Sequence, residues 1–251
     1  MTTINFFLTR HGETQWNKIA KLQGQLDSPL TKKGYQQAHA IAQQLNDSNI
    51  NMIVSSTLAR AKATADICQL SLRCSLALAP TLTSTLAPTL APVLRLNPEL
   101  IERDFGHWQG RFIEEVKDAD NYQSIFHQVN GSAPPNGESG IACLTRLQQA
   151  LITIASEVVD THNTEKNPPS LSQSQSQSQH SNILVVTHGD ILRCFLSVMV
   201  HNFSTNQTIN TKNKAFDNGC IFQVRYHIQQ QRFTLITVHD ISHTPAMTLI
   251  S

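Results

Sequence analysis

Arg10 and His11 stand side by side in "LTRHGETQWN" (8–17), just after the apolar run "INFFL" and just before Gly12. A second histidine, His188, closes another apolar run in the same way, in "NILVVTHGD" (182–190). "SSTLARAKATA" carries Arg60 at the start of a helical pattern, and "LIERDFGHWQG" carries Glu102 in a loop rich in glycine and aromatic residues. Taken singly, these are a polar turn, a solvated arginine and a surface acid. Together they form an inventory suited to phosphoryl transfer. Guanidinium groups hold non-bridging oxygens in bidentate fashion. An imidazole can attack phosphorus and carry it covalently, and a protonated carboxyl group can give the leaving oxygen its proton. The chain has neither a Gly-x-Ser-x-Gly elbow nor a His-Glu-x-x-His pair, so the serine-hydrolase and zincin motifs are absent.

These residues need elements to place them. Residues 4–9 and 51–56 read as short buried strands, and 182–190 as a buried strand with its polar turn. A helix is predicted within 27–46, capped by Thr31, with Tyr35, Ala38, Ile41, Ala42 and Leu45 at helical spacing. A second helix is predicted over 58–71, with Ser56 or Thr57 as cap. A third spans 138–160, with a stripe of Ile141, Leu144, Leu147, Leu151, Ile154 and Val158. "ILRCFLSVMV" continues as a helix after His188, and "CIFQVRYH" with "RFTLITVHD" reads as a closing hairpin. Alternating strands and helices imply a three-layer α/β/α sandwich around a mainly parallel sheet. In such sheets ligands sit beyond the carboxyl ends of the strands, where Arg10, His11 and His188 all fall.

One domain over 1–251 is expected, with two tracts that stand apart. Residues 72–98 are rich in Pro, Thr and Leu and repeat "LAPTL" at 78–82 and 86–90. They read as a partly extended insertion, because several prolines oppose a regular helix. Residues 161–181 contain "PPSLSQSQSQSQ" and read as a disordered low-complexity linker. A formal net charge of +1 gives no broad basic field for nucleic acid or a membrane surface. The five cysteines lack a Cys-x-x-Cys pair, which argues against a disulfide framework or zinc knuckle. With no signal-like opening and no long apolar window, a cytoplasmic protein is expected, with oligomeric state left open.

The ordered set "LTRHGETQWN", "QGQLDSPLTKKGYQQA", "SSTLARAKATA", "LIERDFGHWQG", "NGES" and "VVTHGD" resembles the histidine phosphatase superfamily, in the branch that includes the cofactor-dependent phosphoglycerate mutases. The closing "NGCIFQVRYH" and "VHDISH" are similar as well, so the resemblance covers nearly the whole chain outside 72–98 and 161–181. It implies His11 as the phosphorylated nucleophile, with Arg10, Arg60 and His188 clamping the phosphoryl group. Glu102 would be the acid and then the base. Asn17, Gln23 and Gly24 match positions lining the phosphate pocket, Gly189 and Thr187 serve a turn, and Glu138 matches an acid near the pocket mouth. No metal or cofactor is implied.

The resemblance leaves the reaction open between water and a second hydroxyl as phosphoryl acceptor. Where the mutases carry a Phe-Thr-Gly-Trp type segment this chain has "KLQGQLDSPL", and where they carry Arg-His-Tyr-Gly it has "RDFGHWQG". The stretch that would close over the site, 111–139, is short. These departures favour a phosphatase acting on a small phosphorylated metabolite. Three alternatives remain: a mutase, a catalytically weak relative that binds a phospho-ligand or a protein, and, given eleven histidines, a metal-dependent hydrolase.

Overall fold

The computed structural model describes residues 3–78, 91–164, 181–200 and 217–239. Its centre is a six-stranded sheet. The strands are β1 (Thr3–Arg10), β2 (Met52–Ser55), β3 (Val93–Leu96), β4 (Ser181–Thr187), β5 (Ile221–His227) and β6 (Arg232–His239). Their spatial order is β3-β2-β4-β1-β5-β6. The first four are parallel, whereas β5 runs antiparallel to β1 and pairs with β6 as the hairpin.

Side chains alternate across the sheet, so each strand feeds two cores. On one face Phe6, Leu8, Ile183, Val185, Phe222 and Val224 pack against two helices, α6 (Gly140–Thr164) and α7 (Gly189–Val200). On the other, Phe7, Ile53, Leu184 and Val186 pack against α2 (Lys32–Gln44) and α3 (Ala59–Leu78). The layers are therefore helix, sheet, helix, as expected. Thr31 caps α2 by accepting the Gly34 N–H at 3.1 Å, and Ser56 accepts the Leu58 N–H at 3.2 Å ahead of α3. Tyr35 and Ile141, both assigned to buried stripes, are half-exposed; each stands in the first turn of its helix.

A third, smaller cluster caps the carboxyl edge of the sheet. Leu22, Phe105, Trp108, Val116 and Ile125 form it, with Ile113, Tyr122 and Phe126 packed alongside. Its chain includes two short helices, α4 (Ile113–Val116) and α5 (Tyr122–His127), and faces α1 (Gln15–Lys18). Arg103, fully buried, ties it down by donating to the carbonyls of Ile125, Ser132 and Glu138.

The structure corrects the edges of both unusual tracts. Residues 72–78 are not extended: α3 continues through Leu78, because "LRCSLAL" has no proline and the helix has no reason to stop before Ala79-Pro80. Residues 93–96 form an edge strand between Pro92 and Pro98, a place that tolerates flanking prolines. Residues 79–90 lie outside the described residues. Likewise 161–164 belong to α6 and Ser181 opens β4, while 165–180 lie outside the described residues.

Candidate active site

The parallel register sets Arg10 opposite Thr187, and the His11 N–H donates to the Thr187 carbonyl at 3.0 Å. The two strand-end histidines therefore meet, with ring centroids 5.2 Å apart at 60°. The segment after β2 brings in Ser56 and Arg60, and the segment after β3 brings in Glu102. Four parallel strand ends thus converge on one cavity of about 390 Å³, lined in part by Arg10, His11, Asn17, Gln23, Gly24, Arg60, Glu102 and Gly189. His188 is fully buried behind His11.

The protonation of His11 follows from its neighbours. Nδ1 lies 2.8 Å from the Gly12 carbonyl, which can only accept, so the ring proton sits on Nδ1. Nε2 lies 3.1 Å from Arg60 Nε, which can only donate, so its lone pair faces the guanidinium. Burial, followed by the charges of Arg60 and Arg10, holds the His11 pKa well below the usual histidine value. His188 is held well below it too, first by burial and then by the charge of Arg60. Both imidazoles are neutral at neutral pH.

Arg60 is locked. Its Nη1 donates to the Leu26 carbonyl at 2.7 Å and to Asp27 Oδ1 at 2.9 Å, and its Nη2 donates to the Gly24 carbonyl at 2.6 Å. Gly24 has φ +56°, and a Cβ there would lie 2.2 Å from Gln109 Oε1, so only glycine turns this carbonyl onto Arg60. Asp27 also accepts the N–H groups of Ala59 and Arg60 at the start of α3, which makes it a helix cap and an arginine holder at once. Arg10 packs on Gly189, where a Cβ would sit 3.1 Å from its Nε.

Glu102 is buried with its carboxylate on the first turn of α7. Oε1 accepts the N–H groups of Arg103 (2.9 Å) and Ile191 (3.0 Å), and Oε2 accepts that of Asp190 (3.1 Å). Burial and the nearby Asp190 carboxylate raise its pKa, while those N–H groups and Arg60 oppose the rise. Asp190 is itself held by Arg103 at 3.2 Å and Arg193 at 2.6 Å.

Asn17 accepts the Thr14 N–H at 3.1 Å through Oδ1, which leaves its amide N–H groups for the cavity. Gln23 presents a buried Oε1 with no partner among the described residues. Glu138 is not brought to this cavity. It lies on Arg146, with contacts of 3.0 and 2.8 Å, and borders a separate groove. Three contacts escape the sequence reading, which takes Ser56 only as a helix cap. Asn218 donates to the His11 carbonyl at 2.8 Å, Asp27 holds Arg60, and Ser56 meets His188. Asp27 and Asn218 lay inside quoted motifs, but nothing in their spacing marks those contacts.

The arrangement offers an unprotonated imidazole nitrogen, two buried guanidiniums and a carboxyl group of raised proton affinity around one small cavity. The family model described as histidine phosphatase superfamily (branch 1) matches residues 6–239. "Probable phosphoglycerate mutase GpmB" of Escherichia fergusonii is 28% identical over 253 residues, covering 98% of this chain and 97% of that protein. The phosphoglycerate mutase of Bacillus anthracis shares the fold with a TM-score of 0.67 at 20% identity, covering 96% of this chain and 95% of that one. A mycobacterial glucosyl-3-phosphoglycerate phosphatase shares it with a TM-score of 0.63 at 22% identity, covering 94% and 98%. With its motifs in order and the family match running from β1 to the end of β6, the chain belongs to branch 1 of the histidine phosphatase superfamily.

Proposed function

We propose that the chain is a metal-independent phosphomonoester hydrolase that works through a phosphohistidine on a small phosphorylated metabolite. The observation that carries this reading is His11, whose proton is tied to Gly12 on Nδ1 and whose Nε2 lone pair is kept for use. A phosphate dianion entering the cavity draws the Arg60 N–H away from Nε2. That nitrogen then attacks phosphorus as the P–O bond to the alcohol breaks, and protonated Glu102 gives its proton to the departing oxygen. Arg10, Arg60 and His188 hold the charge of the equatorial oxygens. Water next attacks the phosphohistidine, gives a proton to Glu102, and frees orthophosphate and His11.

Water as acceptor is supported by the small cap, whose two short helices pack among themselves over residues 105–127. The reading also takes the enzyme as cytoplasmic, in keeping with cysteines that are all free thiols. No helix among the described residues is long and apolar enough to cross a membrane. The relatives named as phosphoglycerate mutases favour a second reading, in which a substrate hydroxyl takes the phosphoryl group. Orthophosphate release from p-nitrophenyl phosphate in excess chelator, measured beside phosphoglycerate interconversion, separates them. Release without interconversion is the expected outcome. Interconversion faster than release favours the mutase, and activity abolished by chelator removes the metal-independent mechanism.

A further inference from the structure

The second histidine needs a defined tautomer, and its surroundings supply one. His188 is fully buried, with Nε2 2.8 Å from Ser56 Oγ and with Nδ1 buried and unpartnered among the described residues. The Ser56 hydroxyl, itself fully buried, has one other contact among those residues: it accepts the Leu58 N–H at 3.2 Å. A hydroxyl has one proton and two lone pairs. If the imidazole proton sat on Nε2, both lone pairs would be taken by donors and the hydroxyl proton would be buried with no acceptor. Nδ1 would then offer a lone pair where an anion is to be bound. With the hydroxyl donating to Nε2, the hydroxyl and Nε2 are both satisfied, and the imidazole proton stands on Nδ1, where a bound phosphoryl oxygen is the one acceptor still to be supplied.

We propose that Ser56 is a positioning residue that fixes His188 as its Nδ1–H tautomer, so that a neutral imidazole donates to the phosphoryl group carried by His11. The inference rests on the reading of the cavity as a phosphoryl site and adds how one of its donors is set. His188 need not be charged to donate, because the two arginines supply positive charge and the imidazole supplies direction. The same logic appears at His11, where a backbone carbonyl selects the proton position, so both rings carry their proton on Nδ1.

The test is read first in the unaltered protein, so it does not depend on a variant folding. In protein with ¹⁵N-labelled histidine, the resonance that vanishes in His188→Gln should show a protonated Nδ1 and an unprotonated Nε2 at neutral pH. A protonated Nε2 would overturn the proposal. Ser56→Ala should lose this pattern, bind orthophosphate more weakly, and fall in kcat/KM by about tenfold or more on aryl and alkyl phosphates alike. Ser56→Thr, which restores a hydroxyl, should recover both. Retention of the Nδ1–H pattern and of orthophosphate affinity in Ser56→Ala would also overturn it. If the unaltered protein hydrolyses no phosphomonoester while the tautomer and its response to Ser56→Ala hold, the hydrolase reading fails and this one stands.

Discussion

Replacing Glu102 by Gln keeps the side chain's shape and removes its proton, and the surrounding bonds set two separate magnitudes. The carboxylate accepts three backbone N–H groups, two on Oε1 and one on Oε2. A glutamine that keeps its carbonyl on Arg103 and Ile191 must turn its NH₂ toward the Asp190 N–H, donor against donor. One charge-assisted bond is lost and one buried N–H is stranded, at about 1–3 kcal/mol. For a chain of this size that lowers Tm by roughly 2–4 °C per kcal/mol. The catalytic effect is larger and depends on the leaving group. A positioned general acid contributes about 10²–10⁴-fold, and an alkyl phosphate, whose alkoxide leaves poorly, should lose that full amount. p-Nitrophenyl phosphate, whose phenolate needs little protonation, should lose less than about tenfold. The assay is kcat/KM on both substrates, with Arg60→Ala as the control that harms both alike, since it holds the phosphoryl group whatever departs. Equal losses on the two substrates for Glu102→Gln would refute Glu102 as the acid and direct attention to Asp190, the other carboxylate lining the cavity.

Other expectations follow from the same geometry. Because His11 and His188 are held below the usual histidine pKa, the unfolded chain binds two protons that the folded chain refuses below about pH 6.5. Their contribution to stability is complete above that pH and is lost as pH drops toward their folded values. Glu102, raised by burial and Asp190, runs the opposite way, its contribution being present below about pH 4.3 and lost as pH rises through its folded value. Urea unfolding between about pH 5 and pH 7 reads the histidine term, and a stability that does not change over that range would contradict it. Asp27→Ala should cost about 1 kcal/mol through the α3 cap and should lower kcat/KM by at least about tenfold, one lost charge-assisted bond to Arg60 being worth that much; unchanged turnover would show that Arg60 is held without it. Asp190→Asn removes the charge that raises Glu102, so the alkaline limb of the turnover profile should move to lower pH; a limb that stays in place would separate that limb from Glu102.

How much was legible beforehand depended on whether the signal was local. The buried strands, the Thr31 cap and the layered sandwich were readable because apolar runs and capping residues act over a few positions. That Arg10, His11, Arg60, Glu102 and His188 gather at one place could be expected because they fall at or near the ends of the predicted strands and in ordered motifs. Strand β3 was not: it is four residues long, mostly exposed, and sits among prolines, so it carries neither alternation nor an apolar run. The extension of α3 was obscured by the prolines that follow it. The contacts of Asp27, Ser56 and Asn218 were missed for a different reason. They lie 33, 132 and 207 positions away along the chain, and only the packed sheet brings those partners together.

If His11 is the nucleophile, a phosphoryl group can be trapped on it during turnover. The protein is mixed with a labelled phosphomonoester, quenched within a turnover, and digested under alkaline conditions that spare phosphohistidine. One labelled phosphoryl group on the peptide containing His11 is the predicted result, lost in His11→Ala. Label on another residue, or sustained turnover by His11→Ala, would rule out His11 as the nucleophile.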